Sequence, residues 1–231
     1  MFEAKSYVGS RISVHDHGYV ELVDLMVGDP MLKIVDSARV SFGRQAGDEL
    51  TERDLKLIKY LLDHEHTSPL RHSHFSFRVR APIFVARQLV KHQVGVSWNE
   101  ESARYTEVKD EFFVPEVLRT QNTIGNKQGS GGAVADNEAL LLFYNAACQH
   151  ALDTYHQLLS RGVAREQARA VLPQAMYTTW VWTLSLQAVL HMLRLRLDEH
   201  AQAETRDYAK AVYALLQPVM QHLFDMMELP Q

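Results

Sequence analysis

The chain has 231 residues, enough for one large domain or two small ones, and its 46% hydrophobic and 23% charged side chains are an ordinary globular composition. A formal charge of −4 leaves no polybasic surface, which disfavours a general nucleic-acid binder while leaving local arginines able to hold small anions. No apolar run nears the eighteen or so residues of a membrane span, MFEAKSYVGS lacks the basic head and apolar centre of a signal peptide, and a lone Cys148 excludes an internal disulfide, so a cytoplasmic protein is expected.

In chain order, GYVELVDLM (18–26) alternates loosely and predicts a strand, and VSF (40–42) a second. TERDLKLIKYLLDHEH places Leu55, Ile58, Leu61 and Leu62 on one helical face, with Thr51 as N-cap. HFSFRVR alternates strictly, Phe75, Phe77 and Val79 against His74, Ser76, Arg78 and Arg80, and predicts a half-buried strand. Pro82 suits the first turn of a helix over PIFVARQLVKHQ, ending near Gly95 and followed by irregular chain.

The Gly- and Asn-rich segment around 121–137 reads as a mobile surface loop. A long helix follows from Asn137 to Ser160, with Gly162 as its C′ residue, then a short one over AREQARAV that stops before Pro173. Ser185 caps SLQAVLHMLRLRL, and the pattern from His200 to Leu229 is helical with a kink or restart at Pro218. Strands cluster early and helices late. The expected class is therefore α+β, an antiparallel sheet from the N-terminal half packed with long helices, in a single domain over 1–231.

Four histidines in HEHTSPLRHSH (His64, His66, His72, His74) invite a metal-dependent hydrolase, but there is no HExxH, no Cys partner and no acidic third ligand in a recognised spacing, so no metal is assigned. GxGxxG after a strand and the Lys-Ser/Thr of a P-loop are also missing, so any phosphate must be held by side chains. Arginine suits that task because its planar fork donates two parallel bonds to an oxyanion. The candidates are Arg87, Arg104, Arg169, Arg194 and Arg196; the last two lie about 200° apart around a helix, so only one faces any given pocket.

Order and spacing decide among them. The run APIFVARQLVKHQVGVSWNEESARY resembles the signature of the flavin-dependent thymidylate synthases: Arg-His-Arg, seven or eight residues, then Ser, in a frame ending Asn-Glu-x-Ser-x-Arg-Tyr. His92 stands at the centre, eight residues run from Val94 to Glu101, and Ser102 follows inside NEESARY. ELVDLM, ARVSF, HTSP, GVAREQARAVLP and LRLRLDEHAQAE extend the likeness over most of the chain. Lys91 and Gln93 replace the two motif arginines, which lowers the positive charge there and exchanges a fork for a point charge.

The resemblance implies conversion of dUMP to dTMP with methylenetetrahydrofolate as carbon donor and NADPH as reductant through bound FAD. It implies Arg196 and His66 at the reacting centre, with Arg87, Gln88, Lys91, Glu100, Glu101, Ser102, Ala103, Arg104 and Arg169 binding dUMP. Ser68, Lys91, His92, Gln93, Glu100, Ser185, Gln187 and His191 are implied for FAD. Ser102 invites the role of nucleophile, but a serine needs an oriented base and the family is thought to work without an enzyme nucleophile, so Ser102 is assigned to substrate binding. A homotetramer with shared active sites is implied as well. The alternative is a dUMP-binding regulatory protein in which Lys91 and Gln93 mark lost flavin competence.

Overall fold

A computed structural model describes residues 4–122, 129–227 and 229. Five strands form one antiparallel sheet: β1 (Arg11–Val14), β2 (Gly18–Leu25), β3 (His74–Pro82), β4 (Val96–Glu100) and β7 (Tyr177–Ser185), in the order β1-β2-β3-β7-β4. The second pair, β5 (Arg119–Gln121) and β6 (Ser130–Ala133), stands apart as a hairpin.

The sheet takes one of its inner strands from the C-terminal half. YTTWVWTLS has the β-branched and aromatic content of a strand, and the register Phe75↔Leu184, Phe77↔Trp182 and Val79↔Trp180 stacks large apolar side chains across one face. Val20 and Leu22 of β2 pair with Val79 and Phe77 and extend that face. Onto it pack helices α1 (Pro30–Arg39), α2 (Glu52–Asp63), α6 (Leu186–Arg196) and α7 (Ala203–Met227), which share one core with the sheet.

Local chemistry explains the helix starts. Asp29 accepts from Met31 and Leu32 N–H to open α1. Thr51 and Asp54 form a reciprocal capping box at α2, and Ser185 Oγ accepts from Ala188 N–H where β7 turns directly into α6. Beyond β3, a short helix α3 (Ile83–Leu89) feeds β4; α4 (Asn137–Ser160) and α5 (Arg165–Ala168) pack on each other through Leu152, Tyr155, Ala168 and Met176.

Four sequence expectations change. VSF is a 3-10 turn closed by left-handed Gly43, with Phe42 79% exposed; three apolar residues do not specify a strand. The helix after Pro82 is shorter than expected, Ile83–Leu89, with Pro82 still in β3 as its N-cap, and the chain after Gly95 is strand β4, not irregular. Within the expected loop, Gln121 and Ser130–Ala133 belong to the hairpin, while 123–128 lie outside the described residues. Finally, α7 continues through Pro218 without the restart that is one of the two expected outcomes. Pro218 is on the exposed side, as is Ala214 four residues earlier, whose carbonyl loses its partner, while Leu215, Leu216, Val219 and Met220 hold the buried stripe on both sides.

Candidate active site

The segment from Lys91 to Tyr105 is built around β4. After α3 the chain turns through Gly95, whose φ of 71° favours glycine and where an added Cβ would lie 2.5 Å from Ser185 Oγ. Ser185 N–H then donates to Gly95 carbonyl at 2.8 Å, tying the turn to the start of α6. Past β4, Glu101 N–H still reaches Thr179 carbonyl at 2.9 Å before the chain folds over itself, Tyr105 N–H on Ser102 carbonyl at 3.0 Å and Arg104 N–H on Ser102 Oγ at 3.3 Å. Ser102 hydroxyl is thus an acceptor that shapes a turn, the use serines commonly have in loops.

Glu100, Glu101, Ala103 and Arg169 line one cavity of about 410 Å³. Its lining carries three cations, Arg80, Lys109 and Arg169, against three carboxylates, Glu100, Glu101 and Glu107, with Ile83, Val108, Leu172 and Met176 as apolar wall. Such a mixture of a greasy surface and a few convergent polar groups is what small-molecule sites look like. Arg104 lies beside it and pairs with Glu166 at 3.6 Å, both exposed, a contact worth little and easily exchanged for a ligand anion. The alternation of β3 predicts a solvent face for Arg80, yet it is only 8% exposed. Its guanidinium pairs with Glu111 and lies over the Tyr177 ring, 5.4 Å from the centroid.

A second group gathers where α3 meets the end of α6. Arg196 donates from Nε to His92 Nε2 at 3.0 Å and from Nη2 to Gln88 carbonyl at 3.3 Å. The first bond requires an unprotonated Nε2, so His92 is neutral and carries its proton on Nδ1. Its surroundings agree: burial, then the Arg196 charge, then His191 lower its pKa to about 4. Burial also lowers the pKa of Arg196 from its ordinary value. Gln88 reaches Gln202 at 2.5 Å and anchors this group to the approach of α7.

Gln187 and His191 line a further cavity of about 390 Å³ with Thr67 and Arg194. Gln187 accepts from Arg71 Nε at 2.6 Å, and Arg71 donates to Thr67 Oγ1 at 3.3 Å. Arg194 and Arg196 do face different surroundings, as their angular separation implies. His66 and Ser68 are exposed on the segment between α2 and β3, with His66 edge-on to Tyr60 at 5.8 Å. Lys91, Gln93 and Arg87 are exposed around α3 and its following turn.

One chain therefore does not assemble all of the expected residues in one place. Four of those expected for the nucleotide share a cavity; Arg196, Gln88 and His92 form a cluster of their own; Gln187 and His191 line another cavity. Ser185, expected at a flavin, is 3% exposed and engaged as the α6 cap. Sequence reasoning passed over Arg80, Tyr177 and Thr178, which line the first cavity. The β-branched and aromatic content of YTTWVWTLS was the available signal for two of them. Among the described residues, no three His, Cys, Asp or Glu side chains gather as a metal site.

The fold and these sites define an α+β protein that presents mixed-charge, partly apolar cavities at the edge of an antiparallel sheet, a small-molecule enzyme architecture. Residues 21–220 match the family model of the thymidylate synthase complementing protein. A flavin-dependent thymidylate synthase of Thermus thermophilus is 47% identical over 87% of this chain and 72% of its own. The enzyme of the same description from Kosmotoga olearia is 43% identical, over 87% and 86%. The crystal structure of the UMP/dUMP methylase PolB from Streptomyces cacaoi with 5-Br dUMP superposes with a TM-score of 0.80 at 35% identity, covering 93% of this chain and 97% of that one. The chain belongs to the thymidylate synthase complementing protein family.

Proposed function

We propose that the protein is a flavin-dependent thymidylate synthase that converts dUMP to dTMP, with methylenetetrahydrofolate as carbon donor and NADPH as reductant. The observation that carries this reading is the stretch from Glu100 to Arg104 at the end of β4, whose Glu100, Glu101 and Ala103 line the Arg169 cavity, in a chain of this family. The relatives named for flavin-dependent thymidylate synthesis, and the methylase solved with 5-Br dUMP, support it.

In this reading Arg169 and Arg104 hold the phosphate by charge-assisted bonds, and the Glu101–Ala103 backbone wraps the sugar while Arg87, Gln88 and Lys91 run along the nucleotide. Ser102 binds rather than attacks. Arg196 faces the uracil carbonyl edge; with Nε on His92 and one Nη on Gln88 carbonyl, its remaining N–H groups are aimed before substrate arrives. Stabilising negative charge at that edge raises electron density at C5, where the carbon must attach, and preorganised donors do this without reorganisation at the moment of reaction. His66 stands by the reacting face.

The donor set suits FAD: Lys91 is an exposed cation, Gln187 and His191 line a cavity, and His92 is a neutral imidazole. Ser68, Gln93, Glu100 and Ser185 would complete its contacts. When bound, the flavin supplies the hydride that reduces the transferred carbon. The separation of these groups over one chain supports a homotetramer whose sites are completed by neighbouring subunits, in one catalytic domain per chain. No helix among the described residues is long and apolar enough to cross a membrane, and a cytoplasmic setting fits a nucleotide-synthesising enzyme.

Protein supplied with dUMP tritiated at C5, methylenetetrahydrofolate and NADPH is expected to release tritium to water and form dTMP. Failure to exchange the label under these conditions, with dUMP bound and FAD not bound, would replace the enzyme with a nucleotide-binding regulatory protein.

A further inference from the structure

We propose that Trp98 and Thr178 are positioning residues that fix the Glu100 carboxylate at the edge of the nucleotide cavity. Strand alternation puts Trp98 and Glu100 on one face of β4, and the register sets them opposite Trp182 and Trp180 of β7. The diagonal neighbour of Glu100 on that face is Thr178, two residues before Trp180. Both carboxylate oxygens are consequently held: Trp98 Nε1 donates to Oε2 at 3.1 Å and Thr178 Oγ1 donates to Oε1 at 2.8 Å.

The indole is itself held in place. Trp98 stacks on Trp180 with ring centroids 4.4 Å apart and planes 19° apart, and meets Trp182 edge-on at 5.8 Å. Of the three tryptophans in the chain, Trp180 and Trp182 keep buried indole N–H groups with no hydrogen-bond partner among the described residues, while the Trp98 N–H is directed to Glu100. A stacked ring in a packed cluster has little freedom, so its N–H acts as a fixed donor to an otherwise flexible glutamate. Packing explains the ring of Trp98; it does not explain why two donors from two strands converge on one carboxylate lining the cavity.

The consequence is a division of labour. Glu100 touches the ligand; Trp98, which does not line the cavity, acts through it, and Thr178, itself part of the lining, adds the second donor that limits the rotamers the carboxylate samples before the nucleotide enters. This rests on the reading that the cavity takes dUMP.

The test is dUMP binding by calorimetry, together with kcat and KM, on a set of variants. Trp98→Phe keeps the stacked ring and removes the N–H; Thr178→Val removes the hydroxyl at nearly constant shape, and Thr178→Ser restores it. Trp98→Phe and Thr178→Val are each expected to weaken dUMP binding about tenfold, with Thr178→Ser close to wild type. In a Glu100→Ala background, Trp98→Phe and Thr178→Val should then each cost nothing further. Equal binding by wild type, Trp98→Phe and Thr178→Val would overturn the inference, as would losses that multiply in the Glu100→Ala background, since the tryptophan would then be acting through packing. A wild-type protein that binds no dUMP would overturn the cavity assignment itself, and the positioning role with it.

Discussion

Arg196 has the best-defined surroundings of the expected site residues. Two acceptors orient it, and one of them, His92, must stay neutral to do so. Replacing Arg196 with Ala is expected to lower kcat about 100-fold or more, the scale on which single preorganised donors act, and tritium release from C5 would show it. His92 gives a signed pH dependence. Its folded pKa of about 4 lies below the ordinary 6.5, so between these values the unfolded chain binds the proton and the folded one does not. Stability should therefore fall as pH drops from about 6.5 toward about 4, by up to about 3 kcal/mol at full titration and by less to the extent that solvent screens the ring. A His92→Gln variant lacks this titration. The difference in melting temperature between wild type and His92→Gln should shift steadily against the wild type over that range, and a constant difference would contradict the assignment.

At the level of elements, caps were legible because their chemistry is local. Thr51 is found as the N-cap of α2, and the capping box joins it to Asp54, a residue 2% exposed that also pairs with Arg39 of α1. Burial alone would raise the Asp54 pKa; hydrogen bonds from Thr51 and the Arg39 charge outweigh it and hold the pKa below its ordinary value. Thr51→Ala should destabilise the protein by about 1 kcal/mol in urea unfolding. What escaped notice was non-local. β7 sits between two other strands; Thr178, Trp180, Trp182 and Leu184 are buried on one face while Thr179, Val181 and Thr183 are partly or fully exposed on the other. Because the exposed face carries Val and Thr rather than charged residues, YTTWVWTLS shows little polar contrast between Pro173 and Ser185. Arg80 is buried because Tyr177 and Glu111 come from distant parts of the chain to cover it, and no period within HFSFRVR records that. The motif from Lys91 to Tyr105 was readable from residue order, yet its convergence with Arg169 depends on where α5 folds back, which only the tertiary structure supplies.

For the whole molecule, the question posed by the fold is how separate groups become one site. The N-terminal part of α4 bears on it: Leu142 and Phe143 are 68% and 74% exposed, while the buried positions of that helix, Cys148, Leu152 and Tyr155, begin only at its midpoint. An apolar helix surface of this kind is suited to burial against another subunit. Light scattering should give the mass of four chains, and Phe143→Asp should lower that mass together with activity. The most direct measurement is the visible absorbance spectrum of the purified protein, recorded with and without dUMP. A flavin spectrum that shifts when dUMP is added is expected, since FAD and nucleotide share Lys91 and Glu100 in the proposed site. A colourless protein that binds dUMP but takes up no added FAD would contradict the assignment of flavin-dependent thymidylate synthesis.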